Sequence, residues 1–205
     1  MSGSIVLVPP FDDRRIVMHS CCAPCSAAVL AVLLENGIVP MVFYFNPNIF
    51  PVEEYERRKA ENRNYARSLG LSFFDGDYDH EGWKAKTWDL REEPERGLRC
   101  ASCFRIRMAE TARFAHESGY SLFATTLSSS PWKDLGQIND AGACAAGLFP
   151  GLSFWSCNWR KGGLSERQSE ISRRNGFYRQ NYCGCEYSLN RSARAGLDAS
   201  RAVRV

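Results

Sequence analysis

Short apolar runs alternate with longer helical patterns along nearly the whole chain, and most of the helical patterns close on a glycine. Arg15-Ile16-Val17-Met18-His19 suits a buried strand, and the helical spacing that follows over 26–35 stops at Asn36-Gly37. Pro40-Met41-Val42-Phe43-Tyr44-Phe45 is a second strand, and the charged amphipathic stretch 51–69 ends at Gly70. Leu71-Ser72-Phe73-Phe74 is a third strand. Residues 75–96 are acidic and broken by Gly76, Gly82 and Pro94, with a short helix expected over 83–90. A helical pattern over 100–118 leads to Gly119, a strand over 121–127 and the breaker Ser128-Ser129-Ser130-Pro131. A helix over 134–147, a strand over 152–156 and a helix over 165–175 complete the series. Strands taking turns with helices imply right-handed βαβ units, so the expected fold is α/β, a mainly parallel sheet flanked by helices. At 205 residues the chain has the length of one such domain. The expected division is a loose N-terminal extension over 1–14, a single domain carrying the chemistry over 15–190, and a basic tail over 191–205.

In open α/β sheets, ligands sit beyond the carboxyl ends of the strands. That edge would present Cys21, Cys22, Asn46, Asp75 and residues 128–130. Thiols dominate it. Three of nine cysteines fall within His19-Ser20-Cys21-Cys22-Ala23-Pro24-Cys25, where the first strand hands over to a helix. Unpaired N–H groups and the dipole at a helix N-terminus stabilise a thiolate, which makes it a better ligand or nucleophile. Ala23-Pro24 reads as a turn that lets the neighbouring sulfurs reach one site. Cys100 and Cys103 open a helix as C-x-x-C, one turn apart on nearly the same face, a spacing shared by zinc and iron–sulfur sites. Cys183-Gly184-Cys185 suits either an easily reduced disulfide or two ligands to one metal. Cys144 and Cys157 are expected to be packing residues, and His80 and His116 ordinary surface histidines. His19 either orients a ligand or is a satisfied core histidine.

Residues 1–10 carry no basic n-region and no clear cleavage site, so no secretory leader is expected. An odd number of thiols then points to a reducing cytoplasm, and to metal binding or redox catalysis over a disulfide framework. Tetrahedral zinc would be complete with four of them, and the surplus favours redox chemistry. A thiol–disulfide oxidoreductase working through Cys22 and Cys25 would leave Cys100 and Cys103 unexplained. A zinc-stabilised RNA-binding module would leave the surplus unexplained. No apolar run approaches the roughly 18–20 residues of a membrane span. Neither G-x-x-x-x-G-K-[ST] nor G-x-G-x-x-G occurs, which weakens any reading as an ATP- or NAD-dependent enzyme. The formal charge of +3 is uneven: residues from 158 onward carry a balance of +6, so the first 157 sum to −3. A basic segment carrying tyrosines suits a phosphate-rich partner.

Several motifs together resemble the cobalamin-independent epoxyqueuosine reductase family QueH. They are His19-x-Cys21-Cys22-Ala23-Pro24-Cys25, Asn46-Pro47-Asn48-Ile49-x-Pro51-x-x-Glu54-Tyr55-x-x-Arg58 and Arg99-Cys100-x-x-Cys103-Phe104-x-x-Arg107-Met108. Thr125-Thr126-Leu127-x-x-Ser130-Pro131-x-Lys133, Trp159-Arg160-Lys161-Gly162-Gly163 and Tyr178-Arg179-Gln180-x-Tyr182-Cys183-Gly184-Cys185 continue the set. The resemblance implies a nucleotide-alpha-hydrolase-like (HUP-type) fold and a [4Fe-4S] cluster. It also implies reduction of epoxyqueuosine to queuosine at the wobble position of tRNA, with electrons from an external donor. Cys21, Cys22, Cys100 and Cys103 match the cluster-binding positions. Cys183 and Cys185 match a pair that forms a redox-active disulfide or helps hold an additional mononuclear iron. Cys25 stands where some members carry Asp, which suits a second metal better than an obligatory cluster ligand. Proton donors near the motifs are Tyr55, Lys133 and Tyr182. Arg160, Lys161, Arg173, Arg174 and Arg179, with Arg167, would hold the tRNA backbone, and Tyr178 or Trp132 would stack on a splayed base.

Overall fold

Ile16, Val17 and Met18 are each fully enclosed, as a strand must be when helices cover both faces of its sheet. The computed structural model describes residues 5–10 and 13–189. Five strands, β1 (Arg15–His19), β2 (Val39–Tyr44), β3 (Phe73–Asp75), β4 (Leu122–Thr125) and β5 (Ser153–Phe154), pair in parallel in the order β3-β2-β1-β4-β5. Six helices connect or follow them: α1 (Ala23–Glu35), α2 (Val52–Ser68), α3 (His80–Thr87), α4 (Leu98–Glu117), α5 (Leu135–Ala146) and α6 (Leu164–Arg174). The expected α/β fold with a mainly parallel sheet is therefore the observed one.

Alternation along the strands divides the core. Ile16, Met18, Val42, Leu122 and Ala124 pack with α1 and α6, and Val17, Phe43 and Phe123 pack with α4 and α5. Leu30 and Leu33 of α1 are fully buried on the first face, and each contributes about 1.5–3 kcal/mol by leaving water. Trp159 closes that layer, its indole N–H donating to the Thr125 carbonyl at 3.1 Å.

The strand order reverses at β1. From there the chain crosses outward to β2 and β3, then returns to the other side of β1 as β4. The loops after β1 and β4 diverge, and a crevice opens between them. This is the point at which residues 20–22 and 126–130 meet.

Several boundaries differ from the sequence expectation. Ala23-Pro24 is the first turn of α1, because the fixed φ of proline is already helical and its missing N–H is not needed there. The fourth strand stops at Thr125, whose hydroxyl accepts the Leu127 N–H at 3.1 Å and starts a 3-10 turn over Thr126–Ser129. α3 begins at His80 because Asp79 caps it, accepting the Gly82 N–H at 2.8 Å. The N-terminal extension is anchored: Asn36 donates to the Ile5 carbonyl at 2.9 Å and accepts the Leu7 N–H at 2.8 Å, and both side chains pack on the core. The basic tail over 191–205 lies outside the described residues. Among the described residues no helix is long and apolar enough to cross a membrane.

Candidate metal and redox site

One cleft of about 600 Å³ opens at the crevice, and six of the nine thiols line it: Cys21, Cys25, Cys100, Cys103, Cys183 and Cys185. All nine are free in this structure. Three elements bring them together. The β1–α1 junction supplies Cys21 and Cys25, the first two turns of α4 supply Cys100 and Cys103, and the segment after α6 supplies Cys183 and Cys185.

At the β1–α1 junction the sulfurs of Cys21, Cys22 and Cys25 lie within 4.8 Å of one another, with 3.7 Å between Cys21 and Cys22. Cys22 is the N-cap residue of α1, and its thiol makes no capping bond. Cys25 joins its neighbours because side chains in a first helical turn lean back toward the N-terminus. The tight group among the described residues is thus this triad. Cys100 and Cys103 lie outside it, elsewhere on the same cleft. Cys25 belongs to this group together with Cys22.

Electrostatics separates the three. Hydrogen bonds from Cys22 and Cys25 hold the Cys21 thiol well below the usual range, against burial. Burial and the neighbouring Cys21 push Cys22 up to about 12, and donation to Cys21 and Cys22 raises Cys25. Burial lifts Cys100 to about 11 and also raises Cys103. Cys183 falls to about 6 because the Cys185 thiol donates to it, which raises Cys185 in turn. Two stabilised thiolates, Cys21 and Cys183, thus face one space. Lys133, on the lining of that space, loses affinity for its proton by burial but more than regains it from Cys21, Cys25 and Cys183.

The walls are fastened by side chains whose contacts the sequence does not show. Arg107 donates to the Asn46 carboxamide oxygen, and Asn46 donates to the Ser20 carbonyl at 2.9 Å, which ties the β1 loop to the β2 loop. His19 is a satisfied core histidine: it pairs with the Thr125 hydroxyl at 2.8 Å and the Phe45 carbonyl at 3.1 Å. Burial and Arg107 lower its pKa to about 3. Arg96 has a left-handed backbone (φ 66°), donates its N–H to Cys100 Sγ at 3.3 Å, and reaches the carbonyls of Pro131 and Trp132.

The C-x-C segment docks on the loop after β2. Phe50 N–H donates to the Gly184 carbonyl at 2.8 Å, and Ile49 bridges to Cys185. Buried Arg58 pairs with Glu54 at 2.6 Å and donates to the Cys183 carbonyl at 3.2 Å and the Tyr182 carbonyl at 3.4 Å. Gly184 is required between them. Its φ is +104°, and a Cβ there would stand 2.8 Å from Arg58 Nη1 and 3.0 Å from Ile49. Gly184→Ala should therefore displace the C-x-C segment and cut activity at least about tenfold while the secondary structure persists. Circular dichroism alongside a turnover assay checks this.

A sequence model of the family described as epoxyqueuosine reductase QueH matches residues 16–191. The chain belongs to this family. QueH of Histophilus somni (strain 129Pt) is 45% identical over 180 residues, covering 88% of this chain and 74% of that protein. QueH of Acinetobacter baylyi is 43% identical over 197 residues, covering 96% and 90%. QueH of Thermotoga maritima is 33% identical over 177 residues, covering 85% and 90%. Among solved structures, one described as a predicted subunit of tRNA methyltransferase from Methanocaldococcus jannaschii superimposes with a TM-score of 0.50 at 15% identity. It covers 76% of this chain and 75% of its own, a likeness of fold alone.

Not every residue expected at the site of this QueH chain is in the cleft. Tyr55 is elsewhere: it packs with Tyr44 and Tyr78, and its hydroxyl donates toward Asp75 and the Gly76 carbonyl. Tyr182 lines the cleft, but its hydroxyl is committed to the Phe50 carbonyl. His80 is buried, not a surface histidine, because its ring pairs with the Pro47 carbonyl at 2.7 Å. Cys144 is exposed on α5, Cys157 partly buried and His116 exposed. Arg167 is held by Glu35, and Arg57 covers the Tyr178 ring at 3.5 Å. Trp132, by contrast, is 77% exposed at the mouth of the cleft. Arg160 donates to the Lys133 carbonyl at 2.7 Å, and Lys161, Arg173, Arg174 and Arg179 are exposed.

Proposed function

We propose that this member of the QueH family reduces epoxyqueuosine to queuosine at the wobble position of tRNA, in the cytoplasm, with an iron–sulfur cofactor in the thiol-lined cleft. The convergence of six thiols and one lysine on a single cleft carries this reading. Six thiols outnumber the two carboxylates on the lining, of which Glu95 is bonded to Ser188 and Asp134 caps α5, and soft thiolates beside buried cations suit an iron–sulfur cofactor. Cys21, Cys22, Cys100 and Cys103 would hold a [4Fe-4S] cluster, with Cys25 beside them for an additional iron. When bound, the cofactor supplies electrons from an external donor one at a time.

The reaction consumes two electrons and two protons, and the epoxide oxygen leaves as water. Lys133 gives one of the two protons to that oxygen as the C–O bonds break and solvent supplies the other, a role its position among thiolates favours because they keep it protonated. Cys183 is either a ligand of the additional iron or half of a dithiol that closes with Cys185, and thiol trapping during turnover separates the two. Walls built from Trp83, Phe104 and Ile49 limit water at the reacting ring.

Arg160, Lys161, Arg173, Arg174 and Arg179 hold the RNA backbone, and Trp132 stacks on a base displaced from the anticodon loop. Neutralising Arg173 and Arg174 together should weaken tRNA binding and lower the slope of log affinity against log salt by about 1.5. A salt titration of binding checks it. The reading as a whole is tested by anaerobic reconstitution with iron and sulfide, followed by nucleoside analysis of epoxyqueuosine-containing tRNA.

A further inference from the structure

Asn48 is 3% exposed and lines the cleft, yet its carboxamide oxygen has no hydrogen-bond partner among the described residues. Asparagine at a turn ordinarily bonds its own backbone two residues on, and Asn48 does not. Nor is the segment loose. The His80 ring holds the Pro47 carbonyl, Tyr78 donates to the Ile49 carbonyl at 2.7 Å, Ile49 N–H reaches the Asn46 carbonyl at 3.1 Å, and Phe50 is bonded to Gly184. The backbone is pinned on each side while the one polar side chain between these anchors is left unpaired. Asn46, two residues earlier, has both ends of its carboxamide occupied. Buried polar groups are nearly always paired; the other unpaired side-chain atoms on this lining, Trp83 Nε1, Arg99 Nε and Gln180 Nε2, are donors, so among the described residues Asn48 Oδ1 is the acceptor left for a ligand.

The chemistry of the ligand follows from what surrounds the carboxamide. The cleft's arginines already serve the protein: Arg58 binds Glu54 and the C-x-C backbone, Arg99 binds the Arg91 and Glu93 carbonyls, and Arg107 binds Asn46. An uncharged carboxamide in their midst is matched to a neutral group that donates and accepts, which is a hydroxyl. The cyclopentane ring of epoxyqueuosine carries two hydroxyls beside its epoxide. We propose that Asn48 is a specificity-determining residue that binds a hydroxyl of this ring, with Oδ1 accepting the hydroxyl proton. This rests on the reaction proposed above. The hydroxyls persist through the reaction, so the contact is equally strong in substrate and transition state and acts on KM more than on kcat.

The test uses the reconstituted holoenzyme with Asn48→Ala and the nearly isosteric Asn48→Leu, and anticodon stem-loops bearing either epoxyqueuosine or a plain guanosine at the wobble position. Wild type should bind the epoxyqueuosine stem-loop more tightly than the guanosine one. Both variants should lose that preference, raising KM for the modified stem-loop about ten- to hundredfold with kcat within a few fold. Binding of the guanosine stem-loop and visible absorbance should not change. Retained preference in either folded variant overturns the proposal, as does equal weakening for both stem-loops or loss of absorbance. If wild type itself forms no queuosine, the functional reading fails first and takes this inference with it.

Discussion

Replacing Cys21 with alanine should remove the visible absorbance of the reconstituted protein and lower queuosine formation by more than about a hundredfold, a loss that even changes beyond the ligand shell of a metal site can reach. The effect is large because Cys21 is the thiolate of its triad. Hydrogen bonds from Cys22 and Cys25 stabilise its negative charge, and its sulfur lies on the lining of the cleft. Removing it takes away the thiol of the triad that is already held as a thiolate, the form that ligates a metal. Cys144→Ala is the matched control. That thiol is exposed on α5 and lines no part of the cleft, so absorbance and turnover should both survive. Iron and sulfide content with a turnover assay on both variants decides the matter.

Lys133→Met should lower kcat by about 10²–10⁴-fold while leaving the absorbance and the affinity for tRNA nearly unchanged. Methionine keeps most of the length and removes the proton. Tyr55 does not reach the cleft, and the Tyr182 hydroxyl donates to the Phe50 carbonyl, so no cleft tyrosine is placed to substitute. Lys133→Arg should recover little, because a guanidinium is a poor proton donor at any assay pH. Single-turnover measurements isolate this step from product release. An unchanged kcat in Lys133→Met would remove the lysine from the chemistry.

Much of the fold was legible because the strand and helix periods differ so plainly. Ile16-Val17-Met18 had to be covered on both faces, and the β1–α1 junction had to lie at the carboxyl edge of the sheet. Legibility failed where one short-range hydrogen bond decides a boundary. The Asp79 cap starts α3 before the hydrophobic pattern does, and the Thr125 hydroxyl ends β4 before the apolar run does. At the site, the three thiol groups could be read from spacing, but their grouping could not. The reach of Cys25 depends on Pro24 entering the helix instead of turning the chain. Asn48 and Arg58 appeared only as motif letters, and Asn46 only as a residue at the sheet edge. Their work is to pin one loop to another, or to stay unpaired, and such work depends on contacts made across 26 to 125 positions of the chain. Tyr55 shows the opposite failure, since proximity to a motif in sequence placed it near chemistry that its helix turns away from.

The most direct measurement is the nucleoside content of epoxyqueuosine-containing tRNA after incubation with the anaerobically reconstituted protein and a strong low-potential reductant. The cleft as described predicts a brown protein and queuosine appearing as epoxyqueuosine disappears, with both lost in Cys21→Ala. A fully loaded protein that leaves epoxyqueuosine untouched, or a colourless protein that holds zinc even after anaerobic purification, would contradict it.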